Sequence, residues 1–463
     1  MNYRLESDSV GEKQVPVDAY YGVQTLRAHE NFNITGYKLP GVLIDSLAQI
    51  KKACAMTNRR GGDLDKGIAD TIISACDDII AGAYHEWFIV DPIQGGAGTS
   101  TNMNANEVIA NIALEKLGKE KGDYQFCHPN DHVNMAQSTN DVYPTSLKLA
   151  IYKTGLKLID KLTELETALG EKAVEFRDVL KIGRTQLMDA VPITLGQEFK
   201  AYASAVKRAK RIIAASLEEM KTVNMAATAI GTGINTSEYF FHNVTDSLSL
   251  VTGIQLTQAA DMVDGTQNID GFTVVSSALK TCAVALSKMA NDIRLMNSGP
   301  KAGLGEITIP AKQNGSSIMP GKINPVIPEV LNQCCFAVIG NDMTVTMACE
   351  AGQLELNAFE PVVFQRVYES MTMLTNGVDT FIENCVKGIV ANEDKCHDLL
   401  YNSTGFVTAL CPVLGYKKSA EIAKKFLKDG TPIIEGALAA GMTQQQLDEL
   451  LNPEKLARQF EKK

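Results

Sequence analysis

Long apolar runs are missing from this sequence. Nowhere do about 18 consecutive apolar residues occur, and the opening stretch MNYRLESDSVGEK mixes both signs of charge without an apolar segment. The expectation is a soluble cytoplasmic chain with no membrane partner. An excess of basic residues is missing too: the net charge is −10, the wrong sign for holding nucleic acid or an anionic membrane electrostatically. A small anionic substrate is not excluded, because a few donors set the field of a pocket. The ten cysteines include no C-x-x-C pair, which leaves a metal or redox role unsupported and points to reduced, mostly buried thiols. The phosphate-binding G-x-x-x-x-G-K-[ST], the dinucleotide G-x-G-x-x-G, the G-x-S-x-G elbow and H-E-x-x-H are all absent. His128 and His132 have ligand-like spacing, yet a proline and an aspartate follow closely, and the pair is read as a capped entry into a helix. Repeats, low-complexity tracts and flexible linkers are likewise lacking.

What is present is a chain of 463 residues, 45% apolar, long enough for about three domains and a sizeable core. From about 141 to 395 the pattern is helical almost throughout. Leu147, Ile151, Leu158, Leu162, Leu165, Leu169, Ala173 and Phe176 recur at helical spacing and predict one helix about 50 Å long. Further helices are predicted near 193–223, 237–252, 267–297, 325–350 and 358–390, rich in Ala, Met and small polar residues, which suits a crowded bundle. The first 140 residues carry helical stretches near 41–60, 65–86 and 102–117 between Gly- and Pro-containing loops. The last segment reads as short helices, with Gly430 and Gly441 as stops and Thr443-x-x-Gln446 as a capping box. The predicted class is mainly α, with an N-terminal domain over 1–140, a central helical bundle over 141–395 and a small C-terminal helical domain over 396–463.

Four polar segments are expected to run straight into helices: Gly98 to Asn104, Gln137 to Asp141, Gly183 to Gln186, and Gly315 to Pro325. Each would leave backbone N–H groups free at a helix N-terminus beside hydroxyl and amide side chains, an arrangement that binds carboxylates without many cations. Taken singly, such a segment could be no more than a cap. The fourth resists that reading, since capping one helix does not require two glycines, two prolines, a lysine and paired serines within eleven residues.

That fourth segment, Gly315-Ser316-Ser317-Ile318-Met319-Pro320-Gly321-Lys322-Ile323-Asn324-Pro325, resembles the signature loop of the aspartase/fumarase superfamily, G-S-S-x-M-P-x-K-x-N-P. GTSTNMNANEVIAN (98–111), HPNDHVNMAQSTNDVYPT (128–145), GRTQLMDAVPITLGQEF (183–199), ATAIGTGIN (227–235) and DAYYGVQTLRAHENF (18–32) agree with it in content and order. The resemblance implies a three-domain, mainly helical subunit, a homotetramer with each active site shared between subunits, and reversible β-elimination from a small dicarboxylate. It implies no organic cofactor and no metal in the site, and the sequence is silent on activation by a divalent metal.

Taking a proton from the carbon beside an ionised carboxylate places a second negative charge on that carboxylate. Donors must be aimed at its oxygens beforehand, each contributing ~3–4 kcal/mol to the transition state. By motif position, Thr101, Ser138, Thr139 and Ser317 are expected to meet this β-carboxylate, and Ser316 to act as the base in its oxyanion form. Lys322 adds a positive field and, with Asn324, is the expected partner of the α-carboxylate. Asn140 and Thr185 fall near the leaving amine, and Met319 is placed among the substrate-contacting residues. Lys301 to Asn314 has the glycines of a mobile lid. Fumarases read G-R-T-H where this sequence reads Gly183-Arg184-Thr185-Gln186, so elimination of ammonia from L-aspartate is expected. Water elimination by a class II fumarate hydratase is the alternative, and a catalytically silent structural protein the remote one. Glu329, the partner of that histidine in fumarases, has no role assigned.

Overall fold

The computed structural model describes residues 2–458. Sixteen helices and four two-stranded sheets occur among the described residues, so the chain is mainly α as expected. It divides into two compact units. One comprises residues 1–160, 211–283 and 336–375, the other 161–210, 284–335 and 376–463.

The first unit opens with the hairpin of β1 (Tyr3–Asp8) and β2 (Gly11–Pro16). It continues through α1 (Val23–Asn31), α2 (Gly41–Gly61), α3 (Lys66–Ile80) and α4 (Thr99–Lys116). Helix α2 packs on α3 and on α7 (Glu238–Thr252). The expected His128 entry is there: its Nδ1 accepts the amides of Asn130 and Asp131 at the head of a turn over Pro129–Val133.

The predicted long helix is α5 (Thr139–Glu175), 37 residues or about 55 Å. Pro144 lies inside it, and a proline cannot donate to the carbonyl four residues back. That carbonyl, of Asn140, instead accepts from Asn224 Nδ2 at 2.9 Å, so the lost helical bond is replaced by a tether to another segment. The other bundle helices are α6 (Leu195–Ser216), α9 (Asp270–Met296), α10 (Val326–Glu350) and α11 (Glu360–Asn384), close to the predicted spans.

In the second unit, α12 (Glu393–Tyr401), α13 (Val407–Asp429), α14 (Ile433–Ala439), α15 (Gln444–Leu450) and α16 (Pro453–Ala457) form the C-terminal group. Its core joins Leu400, Phe406, Leu410, Ala437 and Leu447 to Ile182. The caps behave as the sequence predicts: Gly430 ends α13 at φ +75°, and Thr443 and Gln446 form the capping box of α15.

Candidate active site

In the first unit the structure brings together two of the predicted segments and the Ala227–Asn235 stretch. Ser138 Oγ accepts the amide of Asn140, and Asp141 accepts the amides of Ser138 and Thr228, both at 3.0 Å. Asn140 Nδ2 donates to the carbonyl of Ala229 at 2.7 Å, which leaves its Oδ1 turned away as an acceptor. Thr139 Oγ1 accepts from Asn102 Nδ2 at 3.1 Å. Because Ser138 and Thr139 each already accept a bond from the chain, their hydroxyl protons are left to donate elsewhere.

The start of α4 differs from the expectation. Most of its first amides are taken: Thr99 donates to the carbonyl of Gly96, Thr101 to Gln94 Oε1 at 3.0 Å and Asn102 to the carbonyl of Gly98. The loop before the helix has folded back to cap it, through Gln94 and the turn at Gly98 (φ +85°). Thr101 is fully buried, and its Oγ1 has no partner.

A buried polar cluster that sequence reasoning missed lies beneath this segment. Lys51, wholly buried in α2, donates to Asn134 Oδ1 at 2.8 Å and to Gln137 Oε1 at 2.9 Å. Burial pulls its ammonium down to about 8, while it pushes the Asp141 carboxyl up to about 7 against the opposing pull of the Ser138 and Thr228 amides and of Lys51. Asn58 Nδ2 adds a bond to the carbonyl of Met135. One signal was available: Lys51 stands on the apolar stripe of its own helix, with Leu47, Cys54 and Asn58 at helical spacing.

In the second unit the signature loop closes on itself. Gly315 donates to the carbonyl of Lys322 at 3.0 Å, and Asn324 Nδ2 donates to the carbonyl of Gly315 at 2.6 Å, with one N–H left over. Ser316 Oγ accepts the amides of Ile318 at 3.2 Å and Met319 at 2.9 Å, the donors that a serine oxyanion needs. The two glycines serve different ends. Gly321 takes φ +80°, whereas a Cβ at Gly315 would lie 2.3 Å from the carbonyl oxygen of Lys322. Ser317, Met319 and Lys322 are exposed in this chain.

The segment Gly183 to Gln186 does not run into a helix. It turns a hairpin between β3 (Leu180–Thr185) and β4 (Met188–Thr194), with Gln186 and Leu187 at φ +54° and +64°. Two successive left-handed residues form the turn whose twist matches a two-residue hairpin, and neither of them is glycine. Thr185 and Gln186 sit exposed at its tip. At its base, Lys181 Nζ lies 2.8 Å from Glu198 and 3.0 Å from Glu306, and Arg184 reaches Glu306 at 2.9 Å. The Glu306 side chain is wholly buried, so each cation offsets the cost of keeping that carboxylate out of water.

Glu306 also narrows the expected lid. Its amide donates to the carbonyl of Met296, its carbonyl accepts from Asn392, and β7 (Ile307–Thr308) pairs with β8 (Val390–Ala391). The middle of Lys301–Asn314 is therefore anchored, with residues 305–307 buried, while 301–302 and 311–314 at its two ends are exposed. Glu329, in the first turn of α10, faces Arg294 at 3.8 Å.

The lyase family model matches residues 11–340, and a model of the fumarase C C-terminus matches residues 406–458. An aspartate ammonia-lyase from a Bacillus species is 51% identical over 97% of this chain and 96% of its own length. The solved fumarate lyase:delta crystallin of Brucella melitensis with bound cobalt is 48% identical, covers 98% of this chain and all of its own, and superposes with a TM-score of 0.96. The class II fumarase of Schistosoma mansoni reaches the same TM-score at 34% identity, over 99% of this chain and all of its own. With the lyase model matching residues 11–340 and these relatives matching at least 97% of its length, the chain belongs to the lyase family, in the aspartase/fumarase superfamily.

Proposed function

We propose that this protein is an aspartate ammonia-lyase that releases ammonia reversibly from L-aspartate to give fumarate. The observation that carries the mechanism is Ser316 Oγ, which receives two backbone amides in an exposed loop. Deprotonated there, it takes the proton from the β-carbon. The electron pair passes onto the β-carboxylate, which is met by donors from Thr101, Ser138, Thr139 and Ser317. The pair then returns to form the double bond as the C–N bond breaks, and the protonated amine leaves as neutral ammonia. Asn140 offers its Oδ1 to the ammonium, Thr185 and Gln186 flank the same group, and Lys322 and Asn324 hold the α-carboxylate with Met319 beside them. The substrate class is a small dicarboxylate, and no helix among the described residues is long and apolar enough to cross a membrane. The reaction as written calls on no organic cofactor. Ten unbridged cysteines support a cytoplasmic setting. The test is direct: the purified protein should raise the absorbance of fumarate when given L-aspartate, and consume it when given fumarate with ammonium.

The working form proposed is a homotetramer of three-domain subunits (1–140, 141–395, 396–463) with each site shared between chains. Phe336, Ile339, Met343 and Met347 form an exposed apolar row on α10, and such a row on a soluble helix suits burial against another subunit. If Ser316 and Asn140 of one site come from different chains, Ser316→Ala and Asn140→Ala should rescue each other. Refolded mixtures of the two inactive variants are expected to regain a fraction of native turnover. Hybrids detected by native mass spectrometry with no activity above either parent would end the shared-site reading.

A further inference from the structure

The orientation of the Asn102 amide beside Thr139 can be traced to a buried cation. Lys51 Nζ has only hydrogens to offer, so Asn134 must face it with Oδ1, and Asn134 spends its own Nδ2 on the carbonyl of Gln137 at 3.1 Å. That same Oδ1 receives Asn102 Nδ2 at 3.2 Å and Asn106 Nδ2 at 3.2 Å. The Asn102 amide is thereby oriented, and its Nδ2 also reaches Thr139 Oγ1 at 3.1 Å. Lys51 and Asn102 are 0% and 1% exposed, so no water competes for these positions.

We infer that Asn102 is a positioning residue for proton abstraction: by donating to Thr139 Oγ1 it occupies a lone pair on the protein side of that oxygen and so favours turning the O–H outward, as donor toward the substrate carboxylate. Without that bond the hydroxyl can rotate and offer a lone pair to a group whose negative charge is growing. An acceptor in the same place would do worse, because it would draw the proton inward. The inference rests on the reading of Thr139 as a partner of the β-carboxylate.

Asn102→Asp keeps the shape and reverses the bond, while Asn102→Ala removes it. With L-aspartate, kcat/KM should fall about tenfold for Asn102→Ala and about 100-fold for Asn102→Asp, with most of the loss in kcat. In a Thr139→Val background, each change should cost less than about threefold further, since there is no hydroxyl left to orient. Losses that stay undiminished in that background overturn the inference while leaving Thr139 in the site. Should Thr139→Val alone remain within about twofold of the parent enzyme, the carboxylate reading of Thr139 and this inference fall together. Circular dichroism and thermal unfolding verify that the variants fold. If Asn102→Asp does not, the cycle of Asn102→Ala with Thr139→Val decides the same question.

Discussion

Replacing Ser316 by alanine is expected to lower the turnover of L-aspartate at least ~10³-fold, about 4 kcal/mol of transition-state free energy, while the fold and the oligomer persist. The size follows from uniqueness. The amides of Ile318 and Met319 converge on this oxygen and on no other side chain of the loop, and both can stabilise it as an anion. Alanine deletes the proposed base and leaves those two donors to water, which the loop's exposure allows at little cost in stability. Ser317, one residue on, is an exposed donor with a supporting role, so its alanine variant should retain more activity. Fumarate absorbance under saturating L-aspartate, with unfolding temperature and native mass spectrometry as controls, makes the comparison. Turnover of Ser316→Ala within tenfold of the parent enzyme would remove it from the role of base.

The long helices were legible because a 3.6-residue apolar period sustained over 25 to 37 residues has no competing interpretation. The signature loop was legible through its resemblance to the G-S-S-x-M-P-x-K-x-N-P motif, but the source of the amides on Ser316, Ile318 and Met319, was not. The hairpin at 183–192 was not. Its turn residues are Gln186 and Leu187 instead of Asn-Gly, and a polar run before Pro192 imitates the start of a helix. The start of α4 misled for a related reason: a Gln94 side chain seven residues away occupies the amide of Thr101, and local sequence does not reveal where a flexible side chain folds back. Lys51, Asn134 and Asn102 escaped because their meaning lies in contacts across 32 to 83 positions, and a lysine in KKACAMTN reads as a solvated residue until the structure shows it buried.

Gln186 is the residue proposed to set the choice of leaving group. Its amide at the tip of the hairpin can donate to or accept from a neighbouring amine, yet it cannot deliver a proton near neutrality. The departing group must therefore already be a good one. A protonated amine leaves as neutral ammonia, whereas the hydroxyl of L-malate would leave as hydroxide unless an acid protonated it, and this position lacks that acid. L-malate dehydration is accordingly expected to run ~10³-fold or more below L-aspartate deamination. Gln186→His tests the position itself. The backbone there is left-handed (φ +54°), a region that histidine tolerates better than most residues, so the turn should survive the change. An imidazole can still hydrogen-bond the amine, and only a modest loss on L-aspartate is expected, of about threefold to tenfold. Glu329 remains on α10, but it faces Arg294 within this chain, so the new histidine alone should not raise L-malate turnover to the L-aspartate level. Parallel progress curves of fumarate from the two substrates, for parent and variant, give the ratio. Comparable rates on L-malate and L-aspartate in the parent enzyme would overturn both the role of Gln186 and the assignment of ammonia-lyase over hydratase.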